Sequence, residues 1–473
     1  MRINYLPLIF LSLSLVFALA GGRPIHAQGA GSLFTVNDSG DSTDASPGDG
    51  ICADAAGQCT LRAAIVESNA GTQHNVIIFA LPQPTVISLT LGELSIIKGL
   101  NIVGPGARRL TVQRSFATGT PNFRIFHVPT GQMALNIYGL TIRNGNAEAD
   151  AGGGLFIESG NFASLTDVAV TGNRAMFGGG IAVFGRLTIL RSLINSNVSD
   201  NQGGGITNSS LAANTTITSS TFTDNSGAFG GAINNSGGSL LLINDTISRN
   251  SSSQGSSSVF NAPLGTVQVL NTIIGRDFSQ SVPMLQGAFQ SLGNNLISLS
   301  GPSTGFIDNV NSDQVGSFTP IDPMLGNLAD NGGQTDTLAL QTGSTAINRG
   351  NNCAAQGQCP QLPNISIRAA LDQRHYYRVL FGGIIDIGAF EAGAVSSSGG
   401  FGFGLVGGSG STGRYLNSIA ILTNATTLEK RYSVVRLNGN VTFNNIPTAD
   451  AFVLEVKSKR GGFVTPEVIA FDF

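Results

Sequence analysis

The densest group of side chains able to do chemistry in this 473-residue sequence is acidic: Asp38, Asp41, Asp44 and Asp49, set among glycine, serine and proline. Four carboxylates in one loop could chelate Ca2+, a hard cation that takes about six to eight oxygen ligands. Their spacing is not that of an EF-hand, and aspartate in such segments also serves turns, where its carboxylate bonds nearby backbone N–H groups. Ca2+ is the one cofactor the sequence raises. Four cysteines form two local pairs, Cys52/Cys59 and Cys353/Cys359. In an exported chain these read as disulfides closing small loops. The alternative is a four-cysteine zinc site, but neither pair has the C-x2-C spacing such sites use.

Catalytic schemes find few partners. A polysaccharide lyase needs a positioned Lys or Arg base, usually beside acidic Ca2+ ligands. Between residues 76 and 391 the sole lysine is Lys98, and the arginines Arg143, Arg174, Arg186, Arg191, Arg249 and Arg276 are scattered. A glycoside hydrolase needs two carboxylates at a fixed separation. Asp167, Asp200, Asp224 and Asp245 come singly, as turn residues do, although stacking could set Asp224 and Asn225 above Asn197 and Asp200. His74, His127 and His375 lie far apart, outside any H-x-x-x-H or Ser/His/Asp constellation, and read as core or surface residues. His375-Tyr376-Tyr377 beside Arg374 is an aromatic-basic cluster with an expected structural role. No catalytic residue is assigned.

Composition narrows the classes further. With 25 Lys+Arg against 28 Asp+Glu the chain lacks the basic excess of a nucleic-acid binder. Only 11% of residues are charged, yet 41% are hydrophobic, so low charge does not mean disorder. The 63 glycines argue against helical bundles. Sugar-binding grooves usually present Trp and Tyr platforms, and the chain has no Trp and six Tyr.

The start of the chain, 1–27, has the parts of a secretory signal: Arg2, an apolar run over 5–20, and cleavage points after Ala20 or Ala27. No other stretch approaches the apolar length of a transmembrane helix.

The elements that would position any site repeat. Gly152-Gly153-Gly154-Leu155, Gly178-Gly179-Gly180-Ile181, Gly203-Gly204-Gly205-Ile206, Gly230-Gly231-Ala232-Ile233 and a degenerate Ser256-Ser257-Ser258-Val259 are spaced by 26, 25, 27 and 26 residues. A second marker keeps step: Val170/Asn173, Ile194/Asn197, Phe222/Asn225 and Ile247/Asn250. Short Val/Ile/Leu/Thr runs precede this array at 76–80, 85–91, 94–97, 100–103, 110–113, 124–128 and 135–142. The pattern predicts a solenoid of short parallel strands, with glycine at one corner for unusual backbone angles and close approach, and asparagine at another for left-handed turns and hydrogen bonds. Stacked coils superimpose equivalent residues about 4.8 Å apart, which disfavours like charges and accounts for the low charge. A right-handed parallel β-helix is the expected fold, in an all-β chain.

Four stretches resemble known families. Pro47-Gly48-Asp49-Gly50-Ile51-Cys52 followed by Cys59-Thr60-Leu61-Arg62-Ala63-Ala64-Ile65-Val66-Glu67 resembles the CSLREA domain of secreted bacterial β-helix proteins, departing at Ala63, where that motif has Glu. Residues 61–69 are expected to form a short helix capping the solenoid. Asp322-Pro323-Met324-Leu325-Gly326, Leu328-Ala329-Asp330-Asn331-Gly332-Gly333, Gly343-Ser344-Thr345-Ala346-Ile347-Asn348, Asp372-Gln373-Arg374 and Asp386-Ile387-Gly388-Ala389-Phe390-Glu391 resemble the choice-of-anchor Q region, which in that family closes a right-handed β-helix. Phe222-Thr223-Asp224-Asn225 with Gly230-Gly231-Ala232-Ile233 is similar to polymorphic outer-membrane autotransporter repeats. Near the end, Gly413-Arg414-Tyr415-Leu416-Asn417-Ser418 and Phe443-Asn444-Asn445-Ile446-Pro447 resemble a carboxypeptidase-regulatory-like, transthyretin-type β-sandwich, an accessory, non-catalytic module in that family.

The expected organisation is a signal peptide (1–27), an N-terminal cap (28–75), β-helix repeats (76–320), a closing region (321–391), a flexible Gly/Ser linker (392–413) and a small C-terminal β-sandwich (414–473). The expected role is a secreted or cell-surface structural or adhesion protein in contact with extracellular polysaccharide or other surface material, with no nucleic-acid partner and no transmembrane helix. The rivals are a polysaccharide lyase or glycoside hydrolase, and an autotransporter-like passenger.

Overall fold

Each repeat sets single apolar residues between polar ones and then turns, so one coil can bury its apolar side chains only against another coil. The computed structural model describes residues 31–72, 74–275, 283–362, 369–378 and 383–394, and further on Thr427 and six strands between 401 and 470. The expected signal segment and Arg276 lie outside the described residues. The chain is nearly all β, a parallel solenoid of about eight turns.

One coil shows the plan. From Leu155–Ile157 the chain passes through Phe162–Thr166, Ala169–Thr171 and Arg174–Phe177, and arrives at Ile181, which pairs with Leu155. Stacking these four segments produces four parallel sheets. The first has ten strands, from Leu33–Val36 to Gln290–Gly293. The second has eight, from Leu94–Ser95 to Leu285–Gln286, and the third ten, from Thr85–Leu89 to Gln314–Val315. The fourth is short, four strands from Arg174–Phe177 to Ser251–Ser252. Inward residues align through successive coils, as in the buried column Ile137, Leu165, Ile189, Ile217, Leu242 and Val269.

The glycine corner behaves as expected. Gly152, Gly178, Gly203 and Gly230 have φ between 61° and 67°, and a Cβ at Gly179 would run into the carbonyls of Val198 and Gly204 in the next coil. The asparagine corner is corrected in one respect: the left-handed residue is the one before the asparagine, namely Gly172, Ser196, Asp224 and Arg249. The single strand expected over 135–142 is two, Ala134–Tyr138 and Thr141–Arg143, because Gly139 turns the corner between sheets at φ 54°.

At the N-terminal end, the helix Leu61–Ala70 begins where the Thr60 hydroxyl accepts the Ala63 N–H at 3.0 Å, and Leu61, Ala64 and Ile65 join the solenoid core. The parallel stack starts earlier than expected, since Leu33–Val36 already pairs with Asn75–Phe79. Past Val315 stacking stops and the chain doubles back along the third sheet. The antiparallel hairpin Leu325–Ala329/Thr337–Leu340 runs toward the N-terminal end, and its tip bonds Arg108 through the Gly333 carbonyl and Asp336, both at 2.6 Å. Leu325, Leu338, Leu340, Ile387 and Phe390 bury the outward Ile273 and Leu296. The expected closing region is thus a lateral strap. The segment read as a linker also contains a strand, Phe401–Gly404, which pairs antiparallel with Asn440–Phe443, and four further C-terminal strands form an antiparallel sheet.

Candidate functional site

Buried polar side chains are plentiful in this solenoid, and they face one another. Asn173, Asn197, Asn225 and Asn250 stack in one column, each at most 1% exposed. Each of the first three donates through Nδ2 to the Oδ1 of the next asparagine, at 2.9, 3.0 and 3.0 Å. Every Nδ2 also reaches a carbonyl one coil back, and every Oδ1 accepts a backbone N–H from that coil, as Asn225 does from Asn197 N at 3.1 Å. A second column, Asn208, Asn235 and Asn261, repeats the side-chain bond at 2.8 and 2.9 Å. A third passes through Ser192, Ser220, Asp245, Thr272, Asn295 and Asp313, each side chain accepting a backbone N–H from the preceding coil. Burial raises the pKa of Asp245 well above its ordinary value and that of Asp313 above its own, and the hydrogen bonds each accepts only partly offset this.

Charged residues are placed by the same geometry, opposite signs one coil apart. Arg174 Nη2 lies 2.5 Å from Asp200, and Arg191 Nε 3.2 Å from Asp167. The largest group that opens to solvent lies by the second sheet. His127 bridges Glu93 (Nδ1 to Oε1, 2.8 Å) and Glu158 (Nε2 to Oε1, 2.9 Å), and Arg124 joins Glu93 at 3.0 Å and also pairs with Asp150. Burial disfavours the imidazolium, but the hydrogen bonds it donates to Glu93 and Glu158 outweigh this and raise the pKa of His127. Its ring stacks on Phe156 at 5.3 Å with 5° between planes, and Phe184 meets Phe156 edge-on, so the rings stand as a column along the sheet. His127 and its acids escape sequence reasoning because the separations of 34 and 31 residues exceed the period seen downstream.

A second group lies under the strap. His375 Nε2 is 2.8 Å from Asp167 Oδ1, and burial of Asp167 is outweighed by Arg191 and His375, which hold its pKa low. Asp372 accepts Arg374 Nη2 at 2.6 Å and the N–H groups of Arg374, Tyr376 and Glu391. The Arg374 guanidinium lies 3.6 Å from the centre of the Phe390 ring. Glu391 is pushed up to about 8 by burial, Arg378 only partly offsetting this. Gln373, fully buried, accepts the Thr221 hydroxyl at 2.6 Å and donates to Thr335 at 2.9 Å. The motifs Asp372-Gln373-Arg374 and Asp386–Glu391 therefore fasten the strap to the third sheet.

The four N-terminal aspartates are dispersed over separate tasks. Asp38 accepts Gly40 N, Asp44 accepts Ser46 N and Ala53 N, and Asp49 accepts Ile51 N. Asp41 pairs with Arg62 at 2.7 Å and accepts Thr90 N and Leu91 N. Among the described residues no group of three or more His, Cys, Asp or Glu could hold a metal ion. The two cysteine pairs are at disulfide distance, with Cα separations of 5.1 Å for Cys52–Cys59 and 4.7 Å for Cys353–Cys359. The carboxylate pair anticipated at Asp200 and Asp224 does not form: Asp200 binds Arg174, while Asp224 occupies the left-handed turn column and accepts the Thr223 hydroxyl at 3.1 Å. Lys98 and Arg143 stay apart from these groups, Arg143 lying over the Phe116 ring. No described helix is long and apolar enough to cross a membrane.

Fold and side-chain placement together define a parallel β-solenoid with a lateral strap. No protein-family model matches the chain, and no curated protein matches it.

Proposed function

We propose that this chain is a structural or adhesion-type protein, exported and held at the cell surface or released, whose work is done by a rigid rod in contact with extracellular glycans or other surface material. The observation that carries this reading is the use of its polar groups: buried amides, carboxylates and cations bond one another or backbone from coil to coil, as in Asn173–Asn197–Asn225–Asn250 and Glu93–His127–Glu158. Groups so engaged hold a shape. Two cysteine pairs at bonding distance suit an oxidising compartment. In this reading the solenoid winds to the right, the helix Leu61–Ala70 and its loop are a CSLREA-type cap, the strap is a choice-of-anchor Q region, and the C-terminal strands are a β-sandwich.

The rival reading, a polysaccharide lyase or glycoside hydrolase, would find one candidate carboxylate pair in Glu93 and Glu158, which His127 bridges. One experiment separates the two: the purified chain is applied to a glycan array and incubated with the polysaccharides it binds. Binding without release of reducing ends is expected. Release of reducing ends that Glu158→Gln abolishes would establish the enzyme instead.

A further inference from the structure

The outward face of the first sheet changes character along its length. In its middle coils the outward column is polar, Asn136, Ser164, Thr188 and Thr216 in register. Toward the N-terminal end this column runs through Asn101 to Val76, and the outward column beside it is apolar at Val103 and Ile78. Ile77 and Phe79 point into the core, so their neighbours Val76 and Ile78 point away from it, yet Val76 is 1% and Ile78 4% exposed. Val103 pairs with Ile78 and is fully buried, and Leu33 and Tyr138 complete a separate apolar cluster.

Against this patch lies the end of the chain. Cα atoms of the strand Phe463–Ala470 come within 8 Å of those of Asn75–Phe79. That strand is the edge of the four-stranded antiparallel sheet, a position that accommodates Pro466. Its sequence is rich in apolar residues, with Phe463, Val464, Pro466, Val468, Ile469 and Ala470 among eight positions.

We propose that the apolar patch of Val76, Ile78 and Val103 is the docking site of the chain's own C-terminal module, which folds back onto the first coils. The strand Phe401–Gly404, paired with Asn440–Phe443, then belongs to the docked module.

The test uses the full chain with a protease site inserted between residues 394 and 401, ahead of the strand Phe401–Gly404 that pairs with Asn440–Phe443. After cleavage the C-terminal fragment is expected to co-elute with the solenoid as a one-to-one, single-copy complex, and Val76→Ser with Ile78→Ser to weaken its retention at least about tenfold. Free separation of the wild-type fragments overturns the proposal. So does a patch that becomes protected from hydrogen exchange only as concentration rises, which would make a second copy the occupant. Should the double variant fail to fold, co-elution of the cleaved wild-type chain still decides the matter.

Discussion

Asn225 shows how much one amide can do here. Its Oδ1 accepts from the backbone and side chain of Asn197, and its Nδ2 donates to Ile194 O and Asn250 Oδ1. Replacement by alanine removes four buried hydrogen bonds at once. Asn225→Ala should cost about 3 kcal/mol or more in denaturant unfolding, whereas Asn214→Ala at an exposed position should stay within about 0.5 kcal/mol. Glu391 supplies the pH dependence. An unfolded glutamic acid titrates near 4.5, whereas burial lifts this one to about 8. Between those values the folded chain holds a proton that the unfolded chain has lost, so stability should fall as pH rises, by at most about 1.4 kcal/mol per unit. Glu391→Gln should flatten that slope in melts taken from about pH 5 to about pH 8. The asparagine spacing was legible in sequence because the column repeats once per coil. The partners of Glu391 were not, because burial of a carboxyl is a tertiary outcome that no local pattern encodes.

At the scale of the element, corners matter more than strands. Gly172 and Gly203 are both left-handed, with φ of 63° and 64°. A Cβ at Gly172 meets open space, but at Gly203 it would collide with the Ile206 carbonyl. Gly172→Ala should therefore cost only the backbone penalty of about 1–2 kcal/mol, and Gly203→Ala more than about 3 kcal/mol, measured by thermal unfolding. The glycine period announced this corner, since its left-handed angle and close backbone contacts favour glycine in most coils, the last coil carrying Ser256-Ser257-Ser258 instead. The extra strand Phe401–Gly404 went unread because Gly/Ser-rich composition signals a linker, whereas pairing with Asn440–Phe443 depends on a partner some forty residues away. Likewise 135–142 read as one apolar run, and only the turn at Gly139 divides it.

For the whole molecule, the strap is what distinguishes this solenoid from a bare stack. Asp167 is held by two buried partners, Arg191 from the rod and His375 from the strap. Asp167→Asn should cost about 3–5 kcal/mol. Hydrogen exchange should show the loss first at Thr221–Thr223 and Thr246–Ser248, which the strap covers, while the inner column through Ile189 and Ile217 stays protected. If both regions exchange together, the strap is not a separable unit. The motifs of the strap were visible in sequence as five ordered segments, but not its course, because a lateral path depends on which outward faces remain apolar.

That course fixes a length. The strap meets the rod at Arg108, Asp167, Thr221, Thr246, Asn271 and Asn294, landmarks distributed over most of its coils. A bare solenoid can gain or lose a coil by duplication at little cost, since each coil sees only its neighbours. Here one added coil between Arg108 and Asn294 would move every later landmark by about 4.8 Å against an unchanged strap. The strap thus acts as a caliper. Coil number and strap length can change only together, so relatives of different rod length should carry their insertions in matched pairs, one in the coils and one within residues 321–391.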